Sequence, residues 1–447
     1  MIRIVVRSGK DRDAVRACID RVVRDPDIEV VSLGGFRDPE RLRHALADAL
    51  SSERINIVIA GREDSELLTE ALSRDLPNTV LHTVPAKKVR NLRIEHLAWE
   101  INRAKARFRN RVYWSERLRK YLLIHEEGCR SVIDSSDPAD DVYLCYPPGC
   151  TEILNSVTGL DRELYLVTRR LGGVADVYYG PRRVARIRIP DCLREIEVLE
   201  LEKPLESFGL TMRSLLDANR EFIEMLEHVS KSFLLRHGGD ARRVIVPWSG
   251  GKDSTAALLL AREVFDNTIA VYIDTGVDFP ENREYVEEMA SRLGIELIIE
   301  RAPVREELER GRALPTHEDR WCTALKIESI VRTVKRLGLS TVIVGDRDAE
   351  SRSRSLRPFV RVENGIRYLY PIKIWSTLHV QLFLEYKHVP HNPLYDAGFY
   401  RIGCYICPSL RSWELMAMKR VESYSVVSED ELFKRFVRTK LMECSST

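Results

Sequence analysis

The stretch Val244-Ile-Val-Pro-Trp-Ser-Gly-Gly-Lys-Asp-Ser-Thr-Ala-Ala-Leu-Leu-Leu260 decides the fold of the chain around it. Its β-branched beginning predicts a buried strand, and its Ala/Leu end predicts a helix. Two glycines at the turn between them let a ligand approach the backbone, because no Cβ intervenes. Backbone N–H groups and the helix N-terminus favour an anion such as phosphate or sulfate there. The candidate anion-binding residues are Ser249, Gly250, Gly251, Lys252, Asp253 and Ser254.

This turn differs from a Walker A loop. That motif requires Gly five residues before its Gly-Lys pair and Ser or Thr after the Lys. These positions hold Val246 and Asp253 here. The alternative is an ordinary strand-to-helix turn with a chance Gly-Gly pair, but the order of strand, motif and helix favours an anion-binding loop.

Composition limits the class of protein. The chain has 447 residues, which exceeds what one hydrophobic core usually serves, so we expect about two to four domains. A hydrophobic content of 44% and a net charge of +2 are typical of a soluble globular protein, and any nucleic-acid surface must be a local patch. Without a long apolar run or signal-peptide core, we expect a cytoplasmic protein with no membrane contact. Its nine cysteines should then be mainly reduced thiols, metal ligands or catalytic groups.

The first 110 residues predict a small α/β domain of unknown role. Its β-branched runs alternate with helical patterns, which indicates a parallel sheet with strands at 2–6, 28–33, 55–60 and 79–84. Residues 87–120 read as a basic helix that places Arg103, Arg107 and Arg111 on one face. Such a face could hold RNA phosphates. A solvated linker helix is the favoured interpretation.

Residues 120–205 change to short strand-like runs separated by Gly, Pro and Asp, which predicts a β-rich module. Its size and position resemble those of the PUA-type RNA-binding domains that precede some catalytic domains. Cys145 and Cys150 form a C-x4-C pair, for which core or turn cysteines are favoured over metal ligands. Residues 210–235 predict a long helix that connects this module to the next domain.

From residue 243 onward, strands alternate with helices. The runs 244–246, 268–272, 295–299 and 341–344 predict parallel strands. Three polar motifs follow such runs, and ligands bind beyond the carboxyl ends of parallel strands, so the motifs should face one crevice. Arginine forks in the third motif would bind phosphate or sulfate, with a salt-bridged surface loop as the alternative. The second and third motifs add Asp274, Thr275, Gly276, Gly345, Arg347, Glu350, Ser351, Arg352 and Arg354 as candidate nucleotide-binding residues.

Three cysteines form a second candidate site. Cys322 follows Trp321, and Cys404 and Cys407 form a C-x2-C pair closed by Pro408. This set has iron–sulfur ligand character and would also suit zinc, although three thiolates are too few for a closed tetrahedral zinc site. A redox dithiol or plain core cysteines are the alternatives.

Together these motifs resemble the phosphoadenosine phosphosulfate (PAPS) reductase family of the adenine nucleotide α-hydrolase-like, PP-loop superfamily, in an archaeal-type multidomain arrangement. The resemblance covers about residues 205–425 and rests on the segments 249–254, 274–281, 345–351, 371–375 and 392–407. It implies an α/β fold in which a parallel-sheet PP-loop catalytic domain follows the small α/β domain and the β-rich module. The expected domains are 1–110, 120–205, 206–425, and a C-terminal helix and tail over 426–447.

The resemblance implies a sulfonucleotide reductase. In that family the Gly-Gly loop and the later arginines hold the phosphosulfate end of PAPS or adenylyl sulfate, a cysteine thiolate attacks the sulfur, and a thioredoxin-like thiol releases sulfite. The pair Glu443-Cys444 matches part of the family's C-terminal nucleophile motif, although the Gly and His that follow there are absent here. The candidate catalytic residues are Cys444, Lys326 and Asp274.

The resemblance also implies a cofactor. Cys322, Cys404 and Cys407 match three ligands of the [4Fe–4S] cluster in cluster-bearing members, and Thr323 takes the fourth position. Three-cysteine clusters occur in related PP-loop enzymes that transfer sulfur to tRNA. An ATP-dependent, Fe–S-dependent RNA sulfur transferase, with RNA bound by the N-terminal modules, is therefore the first alternative. A non-catalytic adenine-nucleotide-binding protein is the second, since ATP and a sulfonucleotide both present adenosine and anionic groups.

Overall fold

The computed structural model describes residues 1–72, 76–146, 148–203 and 206–445, with side chains up to residue 442. The chain divides into two compact units of three segments each. Unit 1 comprises Met1–Val142, Arg213–Asp240 and Asp346–Tyr386, and unit 2 comprises Tyr143–Met212, Ala241–Gly345 and Lys387–Thr447. These units interleave along the chain, whereas the domains expected from the sequence are consecutive. Among the described residues, no helix has both the length and the apolar character needed to cross a membrane.

Unit 1 begins with the predicted parallel sheet. Its strands are β1 (Ile2–Val6), β2 (Glu29–Ser32), β3 (Ile55–Ala60) and β4 (Thr79–Thr83), in the order β2-β1-β3-β4. Each neighbouring pair is parallel, which confirms the predicted strand direction. Every residue of β3 is buried, as expected for a β-branched central strand covered on both faces. The accompanying helices are α1 (Gly9–Cys18), α2 (Pro39–Ala49) and α3 (Ser65–Ala71).

The basic segment 87–120 is only partly helical, so the prediction of one continuous helix is wrong. Helix α4 covers Ile94–Asn110, and Arg111 begins strand β5 (Arg111–Ser115). The Val-Tyr-Trp run of β5 favours an extended backbone. This strand pairs antiparallel with β6 (Lys120–Leu122) and β7 (Arg130–Asp134). Arg111 therefore leaves the predicted basic face.

The remaining arginines of that face have internal partners. Arg103 forms an ion pair with Glu100 at 3.1 Å, and Arg107 pairs with Asp134 at 2.6 Å. Their charges are balanced within unit 1. Ten of the 17 residues of α4 are buried, so the favoured interpretation as a solvated linker helix is wrong, and RNA binding by this segment stays a prediction. The other elements of unit 1 are α6 (Met212–Gly238), which confirms the predicted long helix, α11 (Arg352–Ser355), β17 (Val360–Glu363), β18 (Ile366–Leu369) and α12 (Thr377–Tyr386).

His379 on α12 gives unit 1 a pH dependence. Its ring centroid lies 5.0 Å from that of Phe222, and burial lowers the pKa of His379 to about 3. The folded protein excludes a proton that the unfolded chain binds near pH 6.5. The free energy of unfolding should therefore fall by about 1.4 kcal/mol per pH unit as the pH drops below about 6.5. In urea unfolding at several pH values, we expect His379→Gln to lose this one-proton dependence and the exposed His44→Gln to keep it. Equal dependence in both variants would contradict the assignment.

Unit 2 contains a β-rich part that begins at residue 143, whereas residues 120–142 of the predicted β-rich module at 120–205 belong to unit 1. Its strands are β8 (Asp141–Cys145), β9 (Tyr165–Arg169), β10 (Val174–Tyr179), β11 (Arg182–Arg188) and β12 (Glu197–Leu201), in the order β12-β11-β10-β9-β8. The pairs from β9 to β12 are antiparallel, and helix α5 (Gly149–Thr158) follows β8. Cys145 and Cys150 form a disulfide bond, which corrects the expectation of reduced thiols at these positions. The likeness to PUA domains stays a prediction.

The second part of unit 2 is the predicted parallel α/β layer. Strands β13 (Arg243–Pro247), β14 (Asn267–Asp274), β15 (Glu296–Arg301) and β16 (Thr341–Ile343) run in the order β15-β14-β13-β16. Their pairs are parallel, which confirms the α/β fold class. The chain moves from β13 to one side through β14 and β15, and then crosses to β16 on the other. The topological switch point, where such sheets bind ligands, therefore lies beside β13.

The helices of this layer follow the strands in the expected alternation. The first, α7 (Lys252–Arg262), starts at the Gly-Gly turn, and Val244, Ile245 and Val246 of the preceding strand are fully buried. The later helices of unit 2 are α8 (Pro280–Leu293), α9 (Val304–Glu309), α10 (Trp321–Arg336), α13 (Pro393–Asp396), α14 (Ser412–Met418), α15 (Tyr424–Glu429) and α16 (Glu431–Ser445).

Candidate functional site

The turn after β13 has the predicted strand–turn–helix geometry. Gly250 has φ +73°, a left-handed conformation that favours glycine. A Cβ at this position would lie 2.5 Å from Oδ1 of Asn282 and 2.9 Å from Cγ2 of Val286. Gly251 is the N-cap of α7, so the backbone of the turn leads directly into the helix N-terminus. This arrangement suits an anion, because helix N-terminal N–H groups and the helix dipole favour negative charge.

Three side chains from other segments hold the backbone of this loop. The Asn282 amide donates to the Ser249 carbonyl at 3.1 Å, and the Asn392 amide donates to the Gly250 carbonyl at 3.3 Å. The Tyr395 hydroxyl accepts from the Lys252 N–H at 2.9 Å. None of the three was a site candidate from the sequence. The available signal was the Asn392-Pro-Leu-Tyr395 motif, whose order along the chain does not show that it reaches the loop.

The polar side chains of the loop are also arranged internally. The hydroxyls of Ser249 and Ser254 lie 3.1 Å apart. Lys252 is only 6% exposed, and its ammonium group donates to Asp253 at 3.0 Å and to the Tyr400 carbonyl at 3.3 Å. It also lies 5.1 Å from the Tyr400 ring centroid. The Lys252 charge is therefore paired with the Asp253 carboxylate and packed against the Tyr400 ring, next to the helix N-terminus.

The second motif forms a compact turn after β14. The Thr275 N–H and hydroxyl donate to Asp278 at 3.1 and 2.6 Å. The Asp274 carboxylate accepts from the Gly276 N–H at 2.8 Å and from the guanidinium groups of Arg301 and Arg283 at 2.8 and 3.2 Å. Asp274 thus sits at the end of a strand beside β13, in ion pairs with two arginines that the sequence analysis did not select.

The third motif lies mainly in unit 1, with Gly345 in unit 2. Arg347 is 1% exposed, and its guanidinium donates to Asp141 at 3.0 Å and to the Thr377 hydroxyl at 2.8 Å. These are the contacts of a buried structural ion pair. Glu350 accepts from the Arg347 N–H at 2.8 Å and, like Asp346, forms an ion pair with Arg354. Ser351 and Arg352 are exposed. That this segment completes the anion site stays a prediction.

The three candidate metal ligands, all in unit 2, interact electrostatically with Lys326. Burial lowers the pKa of Lys326, but the negative charge of Asp278 and of the Cys404, Cys407 and Cys322 thiols outweighs burial and raises it. Lys326 therefore supplies a positive charge to the three thiols. It lies one helical turn after Cys322 on α10.

Cys404 and Cys407 act as a pair. Their thiol–thiol hydrogen bond, together with burial, raises the pKa of Cys404. The same hydrogen bond lowers the pKa of Cys407. The guanidinium of Arg401, 3.9 Å from the Cys407 sulfur, also stabilises the Cys407 thiolate. A buried thiol donating to a stabilised thiolate is an arrangement suited to thiol chemistry.

The fit of this group to a metal is incomplete. Within the described ranges, no set of three or more His, Cys, Asp or Glu side chains is arranged to hold a metal ion. The site supplies three thiols, a neighbouring lysine and no fourth cysteine, because Thr323 occupies that position.

Comparison with known proteins assigns the domain that carries these sites. Residues 243–410 match the family model described as the phosphoadenosine phosphosulfate reductase domain. This segment is similar to the PAPS reductase domain. The resemblance stated from the sequence motifs is thereby confirmed.

Several curated proteins are similar to this chain over part of its length. Two uncharacterized proteins of Methanocaldococcus jannaschii are 30% and 32% identical to this chain over 227 and 223 residues. These matches cover 49% and 48% of this chain, and 55% and 46% of the relatives, so the chain spans about half the length of each. A phosphoadenosine 5′-phosphosulfate reductase of Vibrio cholerae is 28% identical over 161 residues, covering 35% of this chain and 64% of the relative.

Solved structures show more distant likeness. A phosphoadenylyl-sulfate reductase from Candida auris, in a phosphate complex, is 22% identical and covers 42% of this chain and 97% of its own, with a TM-score of 0.34. The U34-tRNA thiolase of Methanococcus maripaludis with its [4Fe–4S] cluster is 14% identical and covers 49% and 80%, also with a TM-score of 0.34.

The candidate nucleophile Cys444 lies outside the matched PAPS reductase domain. Its backbone belongs to α16, and its side chain lies outside the part of the chain that the structure describes. The role of Cys444 stays a prediction.

Proposed function

We propose that this chain is a sulfonucleotide reductase that uses PAPS or adenylyl sulfate and releases sulfite with electrons from a thioredoxin-like dithiol. One observation carries the proposal: the segment that matches the PAPS reductase domain contains a Gly-Gly turn that leads directly into the N-terminus of α7, beside the switch point of its parallel sheet. The turn is held by Asn282, Asn392 and Tyr395, so its backbone is in place before a ligand binds.

The residues of the loop would hold the anionic end of the substrate. In this proposal the backbone of the Gly250–Gly251 turn and the N-terminus of α7 would contact the anion, and the Ser249 hydroxyl, 3.1 Å from that of Ser254, would add a donor. The Lys252 ammonium, buried against Tyr400, raises the positive potential without leaving its own partners. The loop thus orients the phosphosulfate and favours departure of the negatively charged nucleotide.

The proposed chemistry needs one thiolate and one external dithiol. The Cys444 thiolate would bond to the sulfur of the sulfonucleotide as the sulfur–oxygen bond to phosphate breaks, and the nucleotide leaves. A thiol of the donor then bonds to the Cys444 sulfur, which releases sulfite, and the second donor thiol closes the donor's disulfide and restores Cys444. The sulfate sulfur gains two electrons, and the dithiol loses two.

The terminal cysteine tests this reaction. We expect Cys444→Ser to lower sulfite release from sulfur-labelled PAPS or adenylyl sulfate by about 10³-fold or more, because serine cannot replace the thiolate. Cys129→Ser, a free cysteine of unit 1, should retain the activity. Full activity of Cys444→Ser would remove this cysteine from the mechanism. Tight AMP binding by wild type with no turnover of either substrate would indicate a non-catalytic nucleotide-binding protein.

A second candidate is an ATP-dependent RNA sulfur transferase. The specific observation in its favour is the set of three thiols around Lys326, with one thiolate stabilised in the Cys404–Cys407 pair. This function predicts that tRNA stimulates conversion of ATP to AMP. It also predicts RNA binding that strengthens as salt is lowered, because phosphate contacts release counterions. A lack of RNA binding at low salt would count heavily against it.

A [4Fe–4S] cluster, or zinc as the alternative, is the cofactor proposed for Cys322, Cys404 and Cys407. If a cluster is held there, anaerobically purified protein should be brown and contain iron and labile sulfide. Cys322→Ser should then lower the iron content several-fold, since it removes one of only three thiols, whereas Cys192→Ser should not. A colourless protein with stoichiometric zinc would reject the cluster.

A further inference from the structure

The disulfide between Cys145 and Cys150 has no part in the reaction proposed above. It joins the end of β8 to the first turn of α5. Cys145 is 1% exposed, whereas Cys150 is partly exposed, so Cys150 is the more accessible of the two residues to an external thiolate. Such a pair between two elements fixes their relative position while it is oxidised.

The first turn of α5 packs directly on the segment that holds the Gly-Gly loop. A Cβ on Gly149 would lie 2.3 Å from the Asp396 carbonyl oxygen and 2.3 Å from the Ala397 carbonyl carbon, so the two backbones touch. The same segment contains Asn392 and Tyr395. These residues form hydrogen bonds with the backbone of Gly250 and Lys252, respectively. A shift of the first turn of α5 would therefore move the groups that hold the loop.

A second contact leads from β8 to the same loop. The ring of Tyr143, two residues before Cys145, lies 4.7 Å from the ring of Tyr400, measured between centroids. The Tyr400 carbonyl in turn accepts a hydrogen bond from the Lys252 ammonium, and the same ammonium lies 5.1 Å from the Tyr400 ring centroid. The disulfide thus joins two elements that each contact a support of the loop, both within unit 2.

We propose that Cys145 and Cys150 form a thiol–disulfide exchange site that controls how well ordered the Gly-Gly loop at 249–254 is. Through this loop, the site controls the affinity for adenine nucleotide. The nucleotide part of this inference rests on the proposed function. An external dithiol supplies two electrons and two protons; the Cys145–Cys150 bond breaks, two thiols form, and the donor becomes a disulfide. The reduced first turn of α5 then gains freedom relative to β8, and its contact with residues 396 and 397 loosens.

The test uses the full chain, oxidised in one sample and reduced with dithiothreitol in another, with thiol alkylation and intact mass to establish the state of the pair. Two quantities are measured: hydrogen exchange of the backbone amides at 249–254, and the dissociation constant of AMP by equilibrium dialysis. We expect reduction to speed exchange in the loop and to weaken AMP binding about five- to tenfold. The double variant Cys145→Ser/Cys150→Ser should match the reduced protein under both conditions.

Controls separate this site from the other thiols. The double variant Cys129→Ser/Cys192→Ser should keep the full redox response, and Cys145→Ser/Cys150→Ser should show none even though Cys404 and Cys407 remain. Equal exchange and equal AMP affinity in oxidised and reduced wild type would overturn the proposal. If hydrogen exchange in the loop depends on the redox state but neither state binds AMP, the coupling between the disulfide and the loop would be supported and the proposed nucleotide function rejected. Redox-dependent exchange with unchanged AMP affinity would overturn control of binding.

Discussion

Replacing Gly250 by alanine should strongly weaken nucleotide binding by the segment that matches the PAPS reductase domain, while the protein stays folded. Alanine at φ +73° is strained by about 1–2 kcal/mol. Its Cβ would also fall 2.5 Å from Asn282 and 2.9 Å from Val286, so the loop backbone must move away from the position in which we propose that it binds the anion. We expect the dissociation constant of AMP, measured by equilibrium dialysis, to rise about 100-fold, or roughly 2.7 kcal/mol.

Gly338 provides the matched control for this substitution. It has φ +64° after α10, and a Cβ there would meet no atom within 4 Å. Gly338→Ala should therefore share the conformational strain and a modest loss of stability, but bind AMP like wild type. Wild-type affinity in Gly250→Ala would show that the Gly-Gly turn is not the anion site.

Replacing Asp348 by asparagine should cause the largest loss of stability among single substitutions in unit 1. Asp348 is 1% exposed and pairs with two buried lysines, Lys373 and, at 2.8 Å, Lys105. Asparagine cannot balance their charge, so two ammonium groups would remain buried without a carboxylate. We expect the free energy of unfolding in urea to fall by about 3–5 kcal/mol. Asp217→Asn, at an exposed carboxylate on α6, should leave the urea midpoint unchanged.

The same carboxylate gives this loss a defined pH dependence. Burial raises the pKa of Asp348, but the charges of Lys105, Lys373 and Arg109 outweigh burial and lower it below its ordinary value of 3.8. A lowered folded-state pKa stabilises the fold above the unfolded value and ceases to do so as pH falls through the folded value. The difference between wild type and Asp348→Asn should therefore be constant above about pH 5 and shrink below about pH 4. A difference that grows on acidification would contradict this assignment.

Local sequence patterns were sufficient for much of the fold. The parallel strands of both units follow from short β-branched runs, and Ile55–Ala60 has the predicted bounds because every one of its residues can be buried. The Gly-Gly turn was predictable for the same reason: a strand, two glycines and a helix are adjacent in the chain, and only glycine suits the conformation of Gly250. The basic segment 87–120 shows where prediction from local patterns fails. Its aromatic and β-branched residues from 111 onward favour a strand, so the helix does not continue through them.

The amino-acid sequence by itself determined the Gly-Gly turn, its place after a buried strand and the family that the segment containing it resembles. Only the tertiary structure decided which partners surround each side chain. It buried Arg347 against Asp141, brought Asn392 and Tyr395 to the turn, and joined Cys145 to Cys150. The physical reason is the separation along the chain of the residues that interact. Backbone conformation depends on neighbouring residues, whereas charge pairing and loop support depend on contacts between residues far apart in the chain.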